Sequence, residues 1–488
     1  MLFNSPLYGA FLLVTFVVFW AIRKHRLARV VFLTLASYGF YFYGTYDTAN
    51  EQGAPLGPFG WAILCLGIIF VGSTLDFWIG RALGKVEKPS LRKALLLLSV
   101  VYYLGVLAIF KYWDFAMETV RLVLARFGIH TDVAPLNLVL PFGISFFTFE
   151  TMSYTIDVYR RELEPAKKYL DYLLFVCFFP HLVAGPIVRP KDMLPQFAKT
   201  PVANPTQQGE GLWLIATGLL KKVVIGDLLA RTLVNDVFKN PDTYTSMEVL
   251  VGVYAYAFQI YADFSGYTDV ALGSAKLFGY ELPTNFDAPY TAKDLQEFWQ
   301  RWHISLSTWL RDYLYKPLGG SRGSSLLTYR NLLLTMVLGG LWHGASWNFV
   351  IWGTLHGLAL AVTRMWQRAR GTRSPTGVAR VVTVFLTFNF VCFCWVFFRA
   401  KTFGGATAIL ARIADHTTGL SNVPREAAVA LLCAAALHFV PRTIEERARR
   451  AFVTTPSVVQ GVVLACALYG LHWVSKGTAP EPFVYGQF

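Results

Sequence analysis

The chain has 488 residues, of which 55% are hydrophobic, 16% aromatic and only 15% charged. A soluble chain carries roughly 25% charged residues, so this one lacks the polar side chains to cover soluble domains. Apolar runs of bilayer length recur from end to end, which excludes a secreted disulfide scaffold, a disordered chain and a plain cytosolic enzyme. What remains is an all-α, polytopic integral membrane protein.

Lys and Arg number 44 against 30 Asp and Glu, a net charge of +14. The basic residues cluster in short loops between apolar runs, so the excess reads as the positive-inside signal and not as a nucleic-acid surface. The first apolar run, Leu7 to Ile22, has no basic residue before it and Arg23, Lys24, Arg26 and Arg29 after it. It therefore reads as a retained segment with its amino end outside, not as a signal peptide. Val30 to Gly44 is the second run, and Thr45 to Pro58 reads as an outside loop. Phe59 to Gly80 follows, then an inside loop with Arg81, Lys85, Lys88, Arg92 and Lys93, then Ala94 to Phe110. Later, Arg364, Arg368, Arg370, Arg373 and Arg380 mark one inside loop, and Arg442, Arg447, Arg449 and Arg450 another. The last run, Ser457 to Val474, then delivers the carboxyl end outside as well. The six cysteines lie in apolar runs without metal-ligand spacing, which points to packing and to no metal site.

The middle is broken by Pro141, Pro180, Pro186 and many glycines. Irregular backbone at membrane depth survives only inside protein or beside a wet cavity. The expectation is roughly 10 to 13 membrane segments, with in-plane and re-entrant helices around a central funnel. The corresponding division is 1–137 for amino-terminal helices, 138–363 for a buried functional core and 364–488 for carboxyl-terminal helices.

Thr291 and Asp294 resemble a capping box. Leu295, Phe298, Trp299, Trp302, Leu306, Trp309, Leu310 and Tyr313 then fall on one face at helical pitch, opposite Lys293, Glu297, Gln300, Arg301, Arg311 and Asp312. This pattern predicts one in-plane interfacial helix ending before Pro317. His303 stands on the shoulder of its apolar face, either at the water–lipid boundary without a chemical role or aimed into a cavity.

His343 follows an apolar stretch in Gly340-Leu-Trp-His-Gly344, and Gly353-Thr-Leu-His-Gly357 repeats the pattern with His356. The glycine pairs have a helix-packing explanation. The histidines do not, and an imidazole at membrane depth with an unperturbed pKa of ~6.5 suits proton transfer. Asp263 and Asp269 are the third feature; they either line a polar cavity, pair with basic residues, orient a histidine or cap a helix end. Gly319-Gly-Ser-Arg-Gly323 lacks the strand and helix of a nucleophile elbow and reads as a loop. Neither a P-loop nor a zinc-protease motif occurs.

Asn285-Phe-Asp-Ala-Pro-Tyr290, Glu297-Phe-Trp-Gln-Arg-Trp-His-Ile-Ser-Leu-Ser307, Arg311-Asp-Tyr-Leu-Tyr-Lys-Pro-Leu-Gly-Gly320 and Gly340-Leu-Trp-His-Gly344 together resemble the membrane-bound O-acyltransferase family, in its alginate O-acetylase-like branch. Stretches 141–149, 180–186, 261–269, 398–400 and 482–488 fit the same branch. The resemblance implies His343 as the family's histidine and general base, His303 as its partner, and a packing role for His356. It implies no tightly bound cofactor, an acyl thioester such as acetyl-CoA as donor, and a polysaccharide acceptor outside. It also implies a periplasmic acetyltransferase partner, polysaccharide export machinery and residence among the lipids of the bacterial cytoplasmic membrane. Trp302, Ser305, Tyr313, Asp263, Asp269 and Trp342 are candidates to bind substrate or donor, the first three by shaping its passage from the inner face. The alternatives are a D-alanyl transferase of the teichoic-acid type, a transporter or flippase using the histidines as a proton relay, and a scaffold for an export complex.

Overall fold

The computed structural model describes residues 3–131, 133–183, 185–371, 375–475, 481, 483 and 484. It is about 76% helical, without strands among the described residues. The helices divide into two compact units, Met1–Gln208 with Ser274–Leu282, and Gly209–Gly273 with Pro283–Phe488.

The first unit holds α1 (Pro6–Ile22), α2 (Arg26–Gln52), α3 (Gly57–Leu83), α4 (Pro89–Leu107), α5 (Trp113–Ala125), α6 (Ile144–Tyr159), α7 (Tyr169–Cys177) and α8 (Pro190–Ala198). Local chemistry sets their ends. The Ser5 hydroxyl accepts from the Tyr8 N–H, with Pro6 in the first turn, and Gly53 closes α2 in the left-handed region at φ 67°. α2 runs to Gln52, so most of the stretch expected as an outside loop is helix. α4 and α5 join through a π-wound turn at Ala108–Tyr112.

Basic residues that mark loops also tie backbone together. The buried Arg29 guanidinium donates to the carbonyls of Phe197 (3.0 Å) and Lys199 (2.8 Å). Arg92 donates to those of Val86 (3.0 Å) and Tyr159 (2.7 Å). Deeper in this unit, Glu150 and His181 meet at 2.9 Å, both fully buried.

The remaining helices are α9 (Pro205–Leu220), α10 (Asn235–Lys239), α11 (Ser246–Leu277), α12 (Leu295–Arg301), α13 (Ile304–Leu310), α14 (Ser325–His343), α15 (Trp347–Arg370), α16 (Gly377–Arg399), α17 (Phe403–Ala414), α18 (Arg425–His438), α19 (Arg442–Thr454) and α20 (Ser457–Ser475). Two glycine seams organise the second unit. A Cβ at Gly218 of α9 would lie 2.6 Å from the Gly266 carbonyl of α11, and one at Gly273 would lie 2.5 Å from the Gly211 carbonyl. On the other seam, Gly340 of α14 lies against the Phe349 carbonyl of α15, and Gly353 of α15 against the Met336 carbonyl of α14. Small residues of this kind let helices approach to backbone contact.

Among the described residues four stretches are long and apolar enough to cross a bilayer: Gly57–Leu83, Pro89–Ala125, Gly377–Arg399 and Ser457–Val474. The pair α18 and α19, bent by 93°, makes a fifth if taken as one span. The larger number expected above also counts shorter and more polar stretches. The protein is a multi-pass, all-α membrane protein. Arg373 and most of the motif at 482–488 lie outside the described residues.

Candidate active site

The amphipathic stretch from 295 to 313 is two helices and not one. Asp294 is the N-cap of α12, its carboxylate accepting from the Glu297 N–H at 2.8 Å, while Glu297 reaches back to the Lys293 N–H at 3.2 Å. Asp294 and not Thr291 therefore caps α12, with Glu297 closing back on Lys293, and Thr291 instead ends a preceding 3₁₀ turn, Pro289–Thr291. α12 stops at Arg301, His303 takes the left-handed conformation at φ 42° and ψ 56°, and α13 begins at Ile304.

The break is held from 18 residues upstream. The Ile304 N–H donates to the Asn285 carbonyl and the Asp287 N–H to the Arg301 carbonyl, each at 2.9 Å. Asn285 Oδ1 accepts from the Ser305 N–H (3.2 Å) and the Ser305 hydroxyl (2.9 Å), and lies 3.1 Å from His303 Nδ1. A non-glycine residue in this backbone region is strained, and such strain persists only where the surroundings over-determine it.

The tryptophans expected at a lipid boundary are buried in protein. Trp302 is wholly covered, stacks on Phe298 and has Trp395 at 5.0 Å. Trp299 and Trp309 are buried as well. The polar side of α12 borders an open surface cavity of about 1040 Å³, lined by Lys293, Glu297, Arg301, Arg364 and Trp366 among others. Neither His303 nor His343 lines it.

His303 has no exposed surface. The edge of Phe264 meets its ring at 4.7 Å and 90°, and Trp342 lies 6.1 Å away. Outside the spanning helices as it is, its imidazole is pushed down to about 3 by burial.

His343 is the last residue of α14, followed by Gly344 in extended backbone. Its exposure is 4% against none for His303, so both imidazoles are buried. Trp342 lies 5.0 Å from its ring, Trp352 5.1 Å and Phe398 5.2 Å. The Trp342 indole thus borders both imidazoles. The glycine seam sets this geometry by letting α14 and α15 pack backbone to backbone at Gly340 and Gly353.

His356 sits in a different setting. It is fully buried, accepts from Trp299 Nε1 at Nδ1 (3.3 Å), and is packed by Phe298, Trp352 and Phe390.

The two acids are brought to lysines and not to the histidines. The seam between α9 and α11 carries Lys222 Nζ to 2.6 Å from Asp263 and 2.7 Å from Asp227, with all three buried. Asp263 also accepts from the Val484 N–H at 2.8 Å. Lys221 meets Asp269 at 2.6 Å. Tyr313 packs on Trp309, with ring centres 5.1 Å apart. His303, His343, Trp342 and Ser305 therefore converge, while Asp263, Asp269 and Tyr313 serve neighbouring contacts.

Asn285, Phe264, Trp352 and Phe398 complete the surroundings without having been singled out. Asn285, Phe264 and Phe398 stood in quoted motifs, but their proximity to a histidine is a tertiary fact.

Comparison with known proteins places these elements in one family. Residues 160–404 match the model of the membrane-bound O-acyltransferase family. The chain is 39% identical over 406 residues to the Pseudomonas aeruginosa protein named "Probable alginate O-acetylase AlgI", covering 82% of this chain and 72% of that one. It is 34% identical to a peptidoglycan O-acetyltransferase of Helicobacter pylori, over 84% of this chain and 79% of the relative. To a teichoic acid D-alanyltransferase of Bacillus subtilis it is 29% identical, over 55% and 71%. The chain belongs to the membrane-bound O-acyltransferase family. It is a multi-pass membrane enzyme that transfers acyl groups to oxygen.

Proposed function

We propose that the enzyme moves an acetyl group from a thioester donor on the cytoplasmic side to a hydroxyl of an exported glycan, or of a periplasmic partner protein that passes it on. The bacterial cytoplasmic membrane is the compartment where both sides of that reaction meet, with both termini of the chain outside. The names of the relatives support an O-acetyl transfer of the alginate or peptidoglycan kind. The D-alanyl reading has less behind it, resting on lower identity over a shorter part of the chain.

In the reaction, the hydroxyl oxygen attacks the acyl carbon while His343 takes its proton. The carbon–sulfur bond then breaks, and the imidazolium returns the proton to the leaving thiolate, giving ester and thiol. A positioned general base of this kind contributes roughly 10²–10⁴ in rate. His303 orients the reactants from the other side of Trp342, and Trp302, Ser305 and Tyr313 support the donor's passage.

The observation that carries this reading is the shared Trp342, whose ring stands 6.1 Å from that of His303 and 5.0 Å from that of His343. The test is His343→Ala in the full chain, with matched expression and folding, scored by transfer of a labelled acetyl group. Transfer should fall by about 10²–10⁴-fold. Undiminished transfer removes His343 from the chemistry.

A further inference from the structure

We propose that Asn285 is the positioning residue that fixes the proton inventory of His303, holding the imidazole as its Nδ1–H tautomer and leaving Nε2 as a hydrogen-bond acceptor. This deepens the reading above and rests on His303 belonging to the site.

The argument starts from a donor with no ambiguity. A backbone N–H only donates, and that of Ser305 points at the side-chain end of Asn285 at 3.2 Å. The atom there is therefore the amide oxygen and not the amide nitrogen, although the two are alike in shape. The Ser305 hydroxyl donates to the same oxygen at 2.9 Å. His303 Nδ1 lies 3.1 Å from it. Two lone pairs do not attract, so Nδ1 carries the hydrogen and donates. In a neutral imidazole the other nitrogen then holds the lone pair.

The surroundings make this arrangement hard to exchange. Asn285 is fully buried, and its own carbonyl takes the Ile304 N–H. The ring rotation of His303 is set by the edge of Phe264 at 4.7 Å and by Trp342. Burial keeps His303 neutral at ordinary pH, its pKa being pushed down to about 3. Among the charged groups on the packed elements, Asp263 next to Phe264 pairs with Lys222, and Arg301 pairs with Glu297 and Asp287. His343 is a further titratable group nearby, beside the same Trp342 ring.

A consequence for the chemistry follows. A neutral His303 with a lone pair on Nε2 accepts a hydrogen bond or a proton there. In that state it cannot donate to a developing oxyanion, so its part is to orient a donor group of a reactant.

Three variants of the full-length enzyme, in detergent micelles with an acetyl thioester and a glycan acceptor, test this. Asn285→Asp keeps an acceptor for the Ser305 N–H, the Ser305 hydroxyl and His303 Nδ1, and adds a charge that favours the imidazolium. The His303 pKa then rises, and its imidazolium forms at a higher pH on acidification. The ring, followed by its ¹⁵N shifts, should titrate about 1–3 pH units higher than in the unaltered enzyme, with a near-normal activity plateau at alkaline pH. Asn285→Leu removes the acceptor, and kcat should fall at least about 10-fold, in line with the general contribution of proton placement. His303→Ala should be at least as impaired.

An Asn285→Asp enzyme whose His303 ring titrates no higher than in the unaltered enzyme, or a fully active Asn285→Leu, overturns the inference while an impaired His303→Ala leaves His303 in the site. A fully active His303→Ala removes His303 from the site, and the inference with it. Should Asn285→Leu not fold, ¹⁵N spectra of the histidine ring in the unaltered enzyme decide, because an Nε2–H signal for His303 contradicts the proposal.

Discussion

The Trp299 indole N–H donates to His356 Nδ1 at 3.3 Å, tying α12 to α15 inside a fully buried aromatic shell. The second histidine of the repeated glycine pattern is thus occupied in joining helices.

His356→Ala should therefore cost stability and not chemistry. It leaves the Trp299 donor without its acceptor, worth about 1–3 kcal/mol, and opens a small cavity. Thermal unfolding in detergent should shift down, while labelled acetyl transfer per folded molecule stays within a few-fold of normal. Loss of turnover in a fully folded His356→Ala enzyme would contradict this.

The buried lysine triad predicts an order of effects. Lys222→Met leaves Asp227 and Asp263 facing each other without a cation, and should be the most damaging, at about 3–5 kcal/mol. Asp263→Asn leaves Lys222 paired with Asp227 and should cost less. Asp269→Asn breaks a pair that is part-exposed on both sides, 31% and 18%, and should cost no more than about 1 kcal/mol. Denaturation midpoints of the three proteins in one detergent check the ranking.

The glycine seams make a third prediction. A Cβ at Gly340 or Gly353 would collide with the carbonyl of the opposite helix, and backbone cannot step aside as a flexible side chain can. Gly340→Ala should destabilise by about 1–3 kcal/mol and lower acetyl transfer by displacing His343. Gly105→Ala is the control, since a Cβ there meets nothing within 4 Å. It should be neutral, or gain up to about 1 kcal/mol from helix propensity.

What could be read in advance follows from what is local. Hydropathy and charge suffice for the membrane class, because the bilayer imposes length and composition on each span separately. The pairs Gly340/Gly344 and Gly353/Gly357 announce close packing by their spacing alone. The break at His303 left no such mark. The apolar face continues in phase through Trp302 and Leu306, so periodicity shows one helix, and only Asn285 and the backbone bonds of 285–287 force the turn. Asp263 likewise kept several readings open until the seam between α9 and α11 brought Lys222 beside it.

The positive φ of His303 also acts as a stereochemical sieve on what can stand at that position. Valine, isoleucine and threonine, branched next to the backbone, are all but barred from that conformation, whereas asparagine and aspartate enter it several-fold more readily than most residues. An asparagine there would preserve the turn while discarding the imidazole, so the shape of this turn and the side chain it carries are separable by a single well-chosen replacement.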